Sequence, residues 1–146
     1  MGLLKDLFGP INKLPDSNQP VPTPQESKDL KTIKAAIVGT HYPCLWPKGI
    51  YGNRTRALSK SKLGDSVSLR VYEYEGSPAI AVINNRLGVD IGVIKRESVQ
   101  RILKILHDND VKGKITKRDS YFENNDEENG ELIYTCTVQL FYTKRN

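Results

Sequence analysis

Between Gly64 and Glu97 the chain reads GDSVSLRVYEYEGSPAIAVINNRLGVDIGVIKRE, and this stretch limits the fold more than any other. Val67, Leu69 and Val71 alternate with Ser68, Arg70 and Tyr72, the two-residue period of a half-buried strand. Glu75 to Pro78 breaks that strand, and Ile80 and Val82 carry the next one. Asn84 to Gly88 then turns the chain into Val89, Ile91 and Val93. A three-stranded meander has too little buried area to stand alone in water, so it must be the centre of a small barrel or sandwich. Lys95 and Arg96 follow at a strand-to-helix junction, where backbone N–H groups also face anions.

Flanking patterns extend the same architecture. Ala35 to Tyr42 reads as the first strand, and His41 to Lys62, with Pro43, Pro47, Gly49 and Gly52, as a long connection. Val99, Ile102, Leu103, Ile105 and Leu106 form the apolar stripe of a helix that stops at Asn109. Lys114 to Phe122 is expected to pair with Glu131 to Tyr142 across the polar loop Glu123 to Gly130. In that last strand Leu132, Tyr134, Cys136, Val138, Leu140 and Tyr142 share a face. The expectation is a mainly β (α+β) fold: a small antiparallel six-stranded β-barrel, SH3-like or OB-like in outline, with one or two helices.

The whole chain is 146 residues, one domain with a tail. Residues 1–13 carry Leu3, Leu4, Leu7, Phe8 and Ile11 at helical spacing, too short a run to be a stable helix alone. Residues 15–31 are rich in Pro, Gln, Ser and Asp and read as a linker, so the domain is assigned to 31–146 and the preceding 1–30 to a tail. Cys44 and Cys136 lie far apart, and with only two histidines no metal-ligand spacing exists; neither metal nor cofactor is expected. No apolar run reaches bilayer length and no signal-peptide pattern is present, which makes a cytoplasmic, reduced protein the expectation.

Charge is divided unevenly. Residues 31–118 hold 17 Lys and Arg against 7 Asp and Glu, a net of +10, whereas residues 119–146 hold 2 against 6, a net of −4. A barrel of that sign attracts polyanions. Within the long connection, Arg54, Arg56, Lys60 and Lys62 fall in ten residues without an acid, and Tyr42, Trp46, Tyr51, Tyr72 and Tyr74 lie near the basic segments. Cations for the backbone and aromatic faces for the bases are what a single-strand binder needs. Catalysis is not expected: no nucleophile–base pair, metal set or phosphate loop is legible. Glu73 and Glu75, on one strand face, are the nearest thing to a carboxylate pair.

The motifs and their order resemble the HIRAN domain, a small β-barrel module that stands alone in bacteria and is fused to helicase-like ATPases in eukaryotes. The residues that carry the resemblance are Ile37-Val38-Gly39-Thr40-His41-Tyr42, Gly64-Asp65-Ser66-Val67-Ser68-Leu69, Ala79-Ile80-Ala81-Val82 and Gly92-Val93-Ile94-Lys95-Arg96-Glu97. The resemblance runs from about Lys34 to Leu106 and on to Tyr142. The resemblance implies a pocket for single-stranded DNA with a free 3′ end. By position, Tyr42 would stack a base, His41 would stand beside it in place of an arginine, and Arg96 would hold a phosphate in place of a lysine. The family's Asn-Pro-x-Asp turn is replaced by Glu73-Tyr74-Glu75-Gly76. Glu75 therefore stands where a second stacking tyrosine is found, and Gly76 where an aspartate reads the 3′ hydroxyl. Tyr74, one residue away, is the substitute for stacking, and nothing replaces the aspartate. Strand ends with a 3′ hydroxyl and a 3′ phosphate are thus expected to bind alike. The leading expectation is a module for single-stranded DNA or DNA ends, accessory to repair, replication restart or mobile-element processes, with a helicase or nuclease as partner. The contrasting one is a protein-interaction adaptor that docks through residues 1–13.

Overall fold

The computed structural model describes residues 30–145. Contacts divide the chain after Lys31, and the residues from Thr32 onward form one compact unit. The amphipathic residues 1–13 and nearly all of the Pro-rich stretch lie outside the described residues.

Among the described residues, eight strands and two α-helices follow in order: β1 (Lys31–Val38), β2 (Pro43–Lys48), β3 (Tyr51–Asn53), α1 (Arg54–Ser59), β4 (Ser66–Tyr74), β5 (Ser77–Asn84), β6 (Val89–Ile94), α2 (Arg96–Asp108), β7 (Asn109–Phe122) and β8 (Leu132–Lys144). Six of the strands form a closed antiparallel ring in the order β1-β6-β5-β4-β7-β8, and β2-β3 is a separate two-stranded sheet. The expected meander is β4-β5-β6. Its first turn is the two-residue loop Glu75-Gly76 between the paired Tyr74 and Ser77. Both loop residues have positive φ, 51° and 79°, the backbone of a type I′ hairpin whose twist matches the strands it joins. In the second turn Arg86 donates Nε and Nη2 to Asp65, tying it to the loop before β4.

The alternation read from sequence becomes the core. Val67, Ile80, Val82, Val89, Ile91, Ile115, Val138 and Leu140 are buried together, and Val99 and Ile102 of α2 join the same cluster. Between Val82↔Gly92 and Ile83↔Asp90 the register of β5 and β6 slips by one, leaving Ile91 as the extra residue of a bulge. Beside it, Gly92 has no room for a side chain. A Cβ there would run into Ile37 and come within 2.9 Å of the Val38 carbonyl oxygen.

Three expectations need correction. First, β1 ends at Val38, not Tyr42, because Gly39 takes φ 69° and turns the chain out of the sheet. Second, residues 41–62 are not a plain connection, since they hold β2, β3 and α1. Pro43 is tolerated as the first residue of its strand. Helix α1 starts at the Asn53 cap, whose Oδ1 accepts from Arg56 N at 2.8 Å, and buries Ala57 and Leu58 completely. Third, Glu73 and Glu75 do not share a strand face, because Glu75 sits in the hairpin turn.

Candidate nucleic-acid interface

One pocket of about 960 Å³ opens where the turn after β1, the β4–β5 hairpin and the start of α2 converge. Its inner lining includes the buried Arg54 and Cys44, and its outer lining the exposed rings of Tyr42 and Tyr74, each 56% accessible. His41 and Arg96 also line it, and among the described residues no Asp or Glu does. The His41 and Tyr42 rings lie 4.4 Å apart at 49°. Tyr72, also in the lining, meets Trp46 edge-on at 5.9 Å, and the Arg70 guanidinium lies 4.0 Å above Trp46.

These positions follow from local causes. Gly39 turns the chain so that Tyr42 N donates to its carbonyl at 3.3 Å, which projects His41 and Tyr42 beyond the end of β1. The tight hairpin carries Tyr74 on the last position of β4. Arg96 is the first residue of α2, separated only by Lys95 from Ile94, where the sheet ends.

Underneath lies a buried ion pair. Arg54, only 3% exposed, donates Nε to Asp90 Oδ2 at 2.8 Å and Nη1 to the Gly39 carbonyl at 3.0 Å. Asp90, fully buried, also accepts the backbone N–H groups of Leu45 and Trp46 at 2.9 and 3.0 Å, which holds β2 against β6. Burial alone would raise the Asp90 pKa, but the Leu45 and Trp46 donors and then Arg54 outweigh it and leave the carboxyl below its ordinary value. Cys44 donates its thiol to the Asp90 carbonyl at 3.4 Å. Burial first, and the Asp90 charge second, push that thiol to about 11 against the pull of Arg54.

Of the ten residues singled out in the sequence, five line the pocket: His41, Tyr42, Arg54, Tyr74 and Arg96. Arg54 is there in a different role, as a buried ion-paired group and not the surface cation of a basic run. Arg56, Lys60, Lys62, Glu75 and Lys95 are exposed and lie outside the lining. Lys95 Nζ is 3.8 Å from Glu97, and Glu75 occupies the hairpin turn. Sequence reasoning missed Asp90, although a carboxylate inside the apolar run Val89 to Val93 needs a partner wherever it is buried. It also missed Gln100, one helical turn beyond Arg96 in the same lining. Among the described residues no helix is long and apolar enough to cross a membrane. No family model matches this chain, and no curated protein or solved structure matches it.

Proposed function

We propose that this domain is a nucleic-acid-binding module that takes the end of a single DNA strand in the pocket between His41, Tyr42, Tyr74 and Arg96. The observation that supports the reading is the convergence itself. Three segments far apart in sequence bring two exposed tyrosines and two basic side chains to one pocket without a carboxylate among its described lining residues. The resemblance to the HIRAN domain points to the same positions. Tyr42 and Tyr74 offer ring faces to successive bases, each stack contributing roughly 1–3 kcal/mol. Arg96 stands at the N-terminus of α2, where a phosphate meets both its guanidinium and the helix dipole. Lys95, Arg56, Lys60 and Lys62 add to the field that draws the strand in. The module binds without catalysis and serves a helicase or nuclease in repair, replication restart or mobile-element processes.

The test is a titration of single-stranded and duplex oligonucleotides at several salt concentrations. Micromolar binding of single strands that weakens steeply with salt is expected. Tyr42→Ala should weaken it by roughly 1–3 kcal/mol with the fold intact. Absence of binding at low salt would refute the proposal and leave the protein-interaction adaptor as the better reading.

A further inference from the structure

We infer that the pocket selects a strand end that carries a terminal phosphate, with Arg54 as the buried group that receives it. The inference rests on the reading of the pocket as a single-strand site.

A guanidinium offers five N–H donors. In Arg54, Nε is taken by Asp90 and one N–H of Nη1 by the Gly39 carbonyl, while Nη2 has no partner among the described residues. Its side chain is 4% exposed, so water does little to satisfy that nitrogen from outside the pocket. A buried donor without an acceptor is destabilising, and such groups in a folded protein call for an explanation. Arg54 lines the pocket, so an anion entering it has a donor waiting. Gly39 keeps the approach open: a Cβ there would sit 3.2 Å from Nη1 and 3.5 Å from the Tyr42 ring.

The second observation is independent. Lys95, the residue before α2, gives no side-chain cap, so the first backbone N–H groups of the helix lack a side-chain acceptor. Arg96, Val99 and Gln100 bring that end of the helix to the same pocket. Asp90 offsets the Arg54 charge but leaves Nη2 unoccupied, because its carboxylate accepts from Leu45, Trp46 and Arg54 Nε.

Three donors of positive character and no lining carboxylate suit a phosphate group better than a hydroxyl. A terminal phosphomonoester carries about −1.5 to −2 charges at neutral pH, against −1 for each internal phosphate. A terminal hydroxyl needs an acceptor for its proton, and the described residues of the lining provide no carboxylate for it. The sequence alone predicts indifference between the two ends; the Arg54 nitrogen that has no partner among the described residues turns that into a preference.

The experiment uses the full chain and one oligonucleotide sequence in three forms, with hydroxyls at both ends, a 3′ phosphate or a 5′ phosphate. One of the phosphorylated forms should bind at least about tenfold tighter than the hydroxyl form, the scale of one charge-assisted hydrogen bond. Arg54→Lys keeps a cation beside Asp90 but loses the guanidinium fork, and should reduce the preference below about threefold. If that variant does not fold, Arg96→Gln, at an exposed position, carries the same comparison. Inorganic phosphate should compete away the advantage of the phosphorylated strand and leave the hydroxyl form bound. Binding of all three forms within about twofold would overturn the inference and keep the single-strand reading. Failure of every oligonucleotide to bind would sink both. Thermal stabilisation by inorganic phosphate without any strand binding would overturn the inference in favour of a free anion.

Discussion

Arg54 and Asp90 bury opposite charges with side-chain exposures of 4% and 0%, and such a pair is far costlier to break than to replace. Asp90→Asn leaves Arg54 buried without its counter-charge and weakens the acceptor for Leu45 and Trp46. The expected loss is about 3–5 kcal/mol in urea unfolding, against less than about 0.5 kcal/mol for the exposed Lys62→Ala. Similar small losses for both would mean that the ion pair does not form. This pair was not legible in the sequence. Arg54 stands in a run of cations with no acid nearby, and its partner lies 36 residues further on. His41, Tyr42 and Arg96 were legible because they stand at positions that the HIRAN resemblance singles out, and Tyr74 because it was the nearest ring to the altered turn.

Elements were legible where their period had room to show itself. Strands β5 and β8 and helix α2 span 8 to 13 residues, and the apolar positions read from the chain are buried or half-buried in them; the 9-residue β4 keeps its alternation at Val67 and Leu69 but not at Val71, which is exposed. The elements β2, β3 and α1, of 6, 3 and 6 residues, complete only one to three periods, and the prolines at 43 and 47 argued against strand. The loop that follows α1 is fixed by a different device. Asp65 accepts from Arg86 Nε and Nη2, Lys62 N and Asn84 Nδ2, and Arg86 also reaches the Lys60 carbonyl at 2.6 Å. Burial would raise the Asp65 pKa, but these donors, with Arg86 foremost, bring it down to about 2. A depressed carboxyl stabilises the fold above its unfolded pKa of about 3.9, and that contribution fades as pH falls towards 2. Arg86→Gln should therefore lower stability at pH 6 and flatten its decline between about pH 4 and 2. Urea midpoints over that range check it; an unchanged acid limb would mean that Arg86 does not hold Asp65.

At the scale of the molecule, the net +10 of residues 31–118 is spread well beyond the pocket, since Arg56, Lys60 and Lys62 are exposed outside it. Replacing all three with Ala should leave melting almost unchanged and reduce the slope of log affinity against log salt by roughly 0.7 for each strand phosphate released. An unaltered slope would confine binding to the pocket residues. The two thiols sample the molecule at different depths. Cys44 lies in the small β2-β3 sheet and lines the pocket, while Cys136 lies within β8 and burial pushes it to about 12. Both are protonated at neutral pH and therefore unreactive until local structure opens. Alkylation followed by peptide mass spectrometry should mark Cys44 before Cys136, and a bound oligonucleotide should delay the first mark far more than the second. Simultaneous marking would mean that the small sheet opens only with the whole barrel. The chain thus carries two internal clocks, one set by the breathing of its small β2-β3 sheet and the other by the lifetime of its fold.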